Sequence, residues 1–149
     1  MLQAGDEAPD FSLESDEGDT VKLSALRGRP VVFYFYPKDD TPGCTAQACS
    51  LRDGYADILA SGAALYGISP DDSESHRAFR AKYGLPFPLL VDAGHRVAEL
   101  YDVWRERPNG NMGILRSSFV VGADGRLIAA SYDVKPEDTT PEALAALSA

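Results

Sequence analysis

One stretch constrains this chain more than any other. Residues 31–35 read Val-Val-Phe-Tyr-Phe, an apolar run without polar alternation. Such a run suits a strand covered on both faces, which demands layers above and below a sheet. It is followed at once by Tyr36-Pro37-Lys38-Asp39-Asp40-Thr41-Pro42-Gly43-Cys44-Thr45-Ala46-Gln47-Ala48-Cys49. Thr41 is a suitable N-cap and Pro42 a suitable first helical residue, so a helix starts there. The only two cysteines therefore fall at the start of a helix that leaves a buried strand. Buried structural thiols are the ordinary reading of intracellular cysteines. Pro and Gly framing Cys44, with a second thiol nearby, favour chemistry instead.

The rest of the chain supplies the layers. Asp16-Glu17-Gly18-Asp19 between two short apolar segments reads as a hairpin turn. The helix opened by Thr41 extends to Gly62, roughly five turns, with Cys44, Ala48, Leu51, Tyr55, Ile58 and Leu59 near one face. Residues 63–68 form a second apolar strand, and a helix follows from Ser73 to a stop at Gly84. Residues 87–91 form a short strand whose Pro88 places it at a sheet edge or at a strand start. Residues 95–101 read as a helix and 103–113 as a loop. Two strands then flank Gly122-Ala123-Asp124-Gly125, and 141–147 form a last helix. Strands alternating with helices, then a hairpin and a helix, predict an α/β domain of thioredoxin-like type with a central mixed sheet.

Composition narrows the function. A chain of 149 residues is expected to be one domain, residues 1–149, with a sizeable core. Its net charge of −9, from 23 acidic and 14 basic residues, disfavours nucleic acid and anionic lipid as partners. No apolar stretch reaches membrane-spanning length, and the N-terminus lacks a basic region followed by an apolar one. The expected compartment is the cytoplasm, where a close cysteine pair cycles or binds metal rather than forming a structural disulfide.

Three separated segments agree in order with one known family. Gly5-Asp6-Glu7-Ala8-Pro9-Asp10-Phe11 matches its opening, and Pro37, Thr41 and Cys44 fit its Pro-x-x-x-Thr-x-x-Cys signature. Arg116-Ser117-Ser118-Phe119 matches the segment that carries its active-site arginine. The chain resembles a peroxiredoxin, and most closely the bacterioferritin comigratory protein or peroxiredoxin Q subfamily, whose second cysteine falls where Cys49 stands. The resemblance implies a thiol peroxidase with Cys44 peroxidatic, Cys49 resolving, and Thr41, Pro37 and Arg116 shaping the pocket. It implies hydrogen peroxide and organic hydroperoxides as substrates and thioredoxin or a similar dithiol as reductant. It calls for neither cofactor nor metal. The segment 103–113 reads as shorter than the corresponding loop, and no cysteine lies near the C-terminus. The latter argues against resolution by a second subunit and for a monomer.

The residue types suit that chemistry. A thiol in the first helical turn meets unpaired N–H groups and the positive end of the helix dipole, and Arg116 adds a permanent charge; all three favour thiolate. Activation alone is insufficient. For a generic thiol, moving the pKa from about 8.5 to about 6 raises the thiolate fraction roughly thirtyfold but lowers its nucleophilicity roughly tenfold. Most of the acceleration must come from holding the peroxide in line and stabilising the departing oxygen, for which Thr41, the Cys44 N–H and Arg116 carry suitable groups. Residues five apart on an ideal helix also have Cα atoms about 8.7 Å apart, beyond the roughly 7 Å limit for a disulfide. A Cys44–Cys49 bond requires the helix start to unwind, which Gly43 eases.

Rival readings fit less well. A metal site from Cys44, Cys49, His76 and His95 matches no usual zinc spacing, and both histidines are expected at the surface. A disulfide reductase of the thioredoxin kind needs Cys-x-x-Cys, which is missing. A redox sensor that oxidises a partner protein would use the same thiol chemistry. Asp39 and Asp40 are expected to be solvated loop acids, Gln47 to border the pocket or face solvent, and Trp104 and Met112 to line the mouth or pack the loop.

Overall fold

The computed structural model describes residues 1–148. The apolar run predicted to lie under two layers does so. It is β3 (Val31–Phe35), near the middle of a seven-stranded sheet. Val31, Phe33 and Phe35 point to one face and Val32 and Tyr34 to the other, and all five are buried. On the first face Phe33, Tyr101 and Phe119 form an aromatic knot with ring centroids 5.0–5.5 Å apart. On the second face lie Cys44, Ala48, Leu51 and Ile58, the apolar side of the helices that follow β3.

The remaining strands are β1 (Ser12–Ser15), β2 (Thr20–Lys22), β4 (Ala64–Ser69), β5 (Leu89–Val91), β8 (Ser117–Val121) and β9 (Leu127–Ser131). Their order is β2-β1-β5-β4-β3-β8-β9. β3, β4 and β5 run parallel, while β1 on β5 and β8 on β3 are antiparallel. The sheet is mixed and flanked by helices, with the expected N-terminal hairpin of β1 and β2. This is the thioredoxin-like architecture. The helices are α1 (Pro42–Asp53), α2 (Tyr55–Ala60), α3 (Ser73–Tyr83), α4 (Arg96–Leu100) and α5 (Thr139–Leu147). α3 is capped by the Asp72 carboxylate on the Ser75 N–H and ends at Gly84 in the left-handed region, φ 62°.

Two local expectations need correction, and a third is decided between its alternatives. The helix predicted over 42–62 is two helices, broken at Gly54. There α5 crosses so closely that a Cβ on Gly54 would lie 2.6 Å from the Thr140 methyl. The break leaves Leu59 45% exposed instead of on the buried face. Of the two placements that Pro88 allowed, the strand start is the one found, for β5 lies inside the sheet between β1 and β4. Pro88 stands just before it and contributes only its carbonyl, which accepts the Gly67 N–H, so no missing donor interrupts the ladder. Finally, 103–113 is not a bare loop. It folds into a separate hairpin of β6 (Trp104–Glu106) and β7 (Met112–Ile114), turned at Asn109-Gly110 with Gly110 at φ 86°. Asn-Gly is a strong hairpin signal that was present in the sequence.

The Gly54 crossing is testable. Gly54→Ala should lower stability in urea by about 1–2 kcal/mol through overpacking. Thr140→Ser, which removes the clashing methyl but keeps the hydroxyl bonded to Ser50, should recover most of that loss.

Candidate active site

The topology brings the predicted site residues together at one end of β3. β3 delivers the chain into Tyr36, Pro37 and the loop before α1. β8 runs antiparallel to β3 with Ser117 opposite Phe35, so Arg116 lies one residue beyond that pair, beside the start of α1. Its guanidinium turns to the thiol: Nη2 donates to Cys44 Sγ at 3.4 Å. Cys44 is 1% exposed and packs on the same face as Tyr34, Tyr36 and Ala48. Both cysteines are free thiols, and Cys49 is half-buried further along α1.

Thr41 occupies the N-cap position with extended backbone, φ −99° and ψ 155°, and Pro42 is the first helical residue. The expected capping bond is not made. The Thr41 hydroxyl donates instead to the Lys38 carbonyl at 2.8 Å, which leaves its oxygen lone pairs to accept. The first helical bond runs from the Thr45 N–H to the Thr41 carbonyl at 2.8 Å. The Cys44 N–H comes before it and has no helical acceptor.

Gln47 is fully buried and positions the arginine. Its Oε1 accepts from Arg116 Nη1 at 2.6 Å, while its amide donates to the Thr139 hydroxyl at 2.8 Å. The guanidinium is thus fixed from one helical turn beyond the thiol it faces. Gly43 also makes room for the arginine, because a Cβ there would lie 3.0 Å from Arg116 Nη2. Met112 is 51% exposed, and the Trp104 ring stacks on His95 at 3.8 Å, so Trp104 packs the hairpin against the start of α4.

Two residues expected at the surface are buried. Asp39 and His76 are 7% and 0% exposed, and Asp39 Oδ2 lies 2.7 Å from His76 Nδ1. The reason is reciprocal: neither charge survives burial alone, but each neutralises the other. His76, Asp39 and Asp71 form the group of potential metal ligands found among the described residues, and neither cysteine belongs to it. Their atoms are already committed to one another and to Ser69, Ser75, Tyr36 and the Leu90 carbonyl. Nearby, burial foremost, with the Cys44 sulfur and the Asp39 carboxylate, pushes the Tyr34 phenol far up, so it stays a neutral hydroxyl.

A buried thiol at a helix start, faced by a fixed guanidinium, is the site of a thiol-dependent peroxidase on a thioredoxin-like fold. Comparison with known proteins agrees. Residues 4–130 match the AhpC/TSA family. Peroxiredoxin Bcp of Bacillus subtilis is 46% identical over 149 residues, covering 98% of this chain and 95% of its own. The chloroplastic peroxiredoxin Q of Sedum lineare is 47% identical over 123 residues, 81% of this chain and 64% of its own. The solved bacterioferritin comigratory protein of Xanthomonas campestris superposes with TM-score 0.91 at 34% identity, covering 97% of each chain. The chain belongs to the AhpC/TSA family, among its peroxiredoxins of the Bcp and peroxiredoxin Q kind. It is a peroxidase that uses a peroxide and a reductant. No described helix is long and apolar enough to cross a membrane.

The clearance at Gly43 yields a prediction. Gly43→Ala should push the guanidinium off the sulfur and slow peroxide consumption about tenfold, a partial loss of the effect expected for a deleted charge-stabilising donor. The melting temperature of the reduced protein should change little.

Proposed function

We propose that this single-domain protein reduces hydrogen peroxide and organic hydroperoxides through Cys44 and regenerates itself through an intramolecular Cys44–Cys49 disulfide. The observation that carries this reading is the Arg116 guanidinium 3.4 Å from a buried thiol in the first turn of α1. The Cys44 thiolate attacks one peroxide oxygen, the O–O bond breaks, and the other oxygen leaves with the electron pair and takes a proton. Cys44 becomes a sulfenic acid. Arg116 and the Cys44 N–H donate to the charge that grows on the oxygens. The Thr41 oxygen, its own proton engaged by Lys38, accepts from the peroxide O–H and fixes its orientation. Pro37 shields the site without adding a backbone donor. The burial of Cys44 favours small oxidants. The Xanthomonas campestris relative, studied for alkyl peroxide reduction, supports extending the class to organic hydroperoxides.

The second step needs movement. Cys44 and Cys49 lie on one continuous helix, whose geometry holds their Cα atoms about 8.7 Å apart against a disulfide limit of about 7 Å. The first turns of α1 therefore unwind before Cys49 attacks the sulfenic sulfur and water leaves. The disulfide, exposed in the unwound segment, then exchanges with an external dithiol, for which thioredoxin is the proposed donor. Both thiols act within one chain, so a monomer suffices, and a pair of free thiols suits the cytoplasm.

Peroxide consumption with thioredoxin, thioredoxin reductase and NADPH tests the cycle. Cys44→Ser should be inactive, whereas Cys49→Ser should oxidise once and fail to recycle with thioredoxin. Arg116→Ala should lose about a hundredfold in rate with little change in stability. Peroxide kinetics left intact by that substitution would remove Arg116 from the mechanism. Amide exchange over residues 42–52 should rise on oxidation, and equal exchange in both redox forms would refute the unwinding step.

A further inference from the structure

Helix α3 grips the loop before α1 by both of its acids. Asp40, strained at φ 57°, accepts from Lys82 Nζ at 2.8 Å and the Tyr83 hydroxyl at 2.7 Å, all at the surface. Asp39 turns inward, where its carboxyl group takes part in three hydrogen bonds. Its Oδ1 accepts from the Tyr36 hydroxyl, and its Oδ2 accepts from Ser75 Oγ at 2.8 Å and His76 Nδ1 at 2.7 Å. Its own N–H donates to Asp71 Oδ2 at 2.7 Å, and Asp71 in turn is held by Ser69.

The ring of His76 lies between two acceptors. Its Nε2 faces the Leu90 carbonyl at 2.9 Å and its Nδ1 faces the Asp39 carboxyl group. Two acceptors, one at each ring nitrogen, favour the imidazolium form, which alone donates from both.

We propose that the buried Asp39–His76 pair is a positioning clamp for the peroxidatic site, fixing the loop that carries Pro37 and Thr41 and setting how readily the start of α1 unwinds. The proposal rests on the disulfide cycle above. The clamp reaches the chemistry by a short path. Lys38, whose carbonyl holds the Thr41 hydroxyl, is the residue before Asp39, and Thr41 itself is the N-cap of α1. Unwinding the first turn drags Thr41, and with it the backbone that Asp39 anchors. A buried pair of this kind releases sharply, because loss of either charge leaves the other uncompensated.

The clamp is also titratable. Burial alone would drive the His76 ring toward neutrality. The hydrogen bond and charge of Asp39 from the loop, the Leu90 carbonyl from β5, and Asp71 from the turn after β4 outweigh it, so its pKa is raised. From the end of β3 the ring also faces Tyr36, whose phenol stays protonated because burial pushes it far up. A raised imidazole pKa stabilises the folded loop fully below the ordinary value of about 6.5, and that contribution is lost as pH climbs through the raised value. Alkaline conditions thus loosen the loop. By reciprocity, unwinding must lower the pKa of His76.

The wild-type protein provides the test. The His76 ring is titrated by NMR in the reduced protein and in the protein oxidised by peroxide, with disulfide formation read separately from the intact mass. A lower midpoint in the disulfide form supports the clamp, and each unit of difference corresponds to about a tenfold shift in the balance between unwound and folded forms. The same midpoint in both forms overturns it. In parallel, His76→Gln and Asp39→Asn should lower the protection against amide exchange over residues 37–46 of the reduced protein several-fold, and should remove the further loss of protection that the wild type shows at alkaline pH once the intrinsic base-catalysed rate is divided out. Their KM for peroxide should rise. If peroxide forms no disulfide, the catalytic cycle fails, and exchange in the reduced protein decides the clamp alone. Unchanged exchange there overturns it, and faster exchange supports it.

Discussion

The antiparallel pairing of β3 with β8 is the constraint on which the site depends. A strand's C-terminal end meets its antiparallel partner's N-terminal start, so the exit of β3 into α1 lies beside the entry to β8. That places Arg116 next to Cys44, although 72 positions separate them in sequence. Had β8 run parallel, Arg116 would sit at the opposite end of a five-residue strand, about 17 Å away. Register matters as much as direction. A slip by one residue would turn Phe119 out of the aromatic knot and Val120 out of the opposite core, so burial on both faces locks the arginine in place.

In the proposed cycle the start of α1 must hold the thiol and then let it go. Its construction suits both demands. Pro42 pre-forms the first turn, yet Thr41 spends its hydroxyl on Lys38 instead of on the helix, forgoing a capping bond worth about 1 kcal/mol. The break at Gly54 shortens the helix, and short helices derive most of their stability from tertiary contacts. Here those contacts are specific. Gln47 ties the second turn to Arg116 and to α5, and Asp39 ties the preceding loop to α3. A helix held mainly by its neighbours can lose one turn without losing the fold.

What was legible in the sequence follows from how local each signal is. The covered strand, the helix start and the hairpin turns are written in neighbouring residues, and each appears where its pattern placed it. The family segments named Cys44, Thr41, Pro37 and Arg116, and the structure sets Arg116 on the Cys44 sulfur, with Thr41 at the N-cap of the same helix and Pro37 in the loop before it. All but one of the misses are long-range. Nothing near Gly54 announces that Thr140 will cross it. A glutamine inside a helix gives no sign that it will be fully buried against an arginine 69 residues away. Asp39 and Asp40 look alike in sequence, but only one finds a buried histidine. The Asn109-Gly110 turn is different, for its signal was local and simply outweighed by the polar residues around it.

The electrostatics of the site follow from the pairing of those two acids. Peroxide reduction builds negative charge on a departing oxygen, inside a protein whose net charge is already −9. Two unopposed carboxylates in the adjoining loop would work against it. Each is instead neutralised by α3, Asp40 by Lys82 and Asp39 by His76, so the guanidinium of Arg116 faces the thiol without local competition. The two pairs are not equivalent. The Asp40–Lys82 pair lies in solvent, where its attraction is weak and screened by salt. The Asp39–His76 pair is dry, and its charge depends on an imidazole proton that the Asp39 carboxyl group helps to hold against burial. An apolar pair of similar volume would often be at least as stable in that position. An ion pair there makes physical sense where the loop it anchors must occupy two states, because it holds firmly when complete and gives way when one proton leaves.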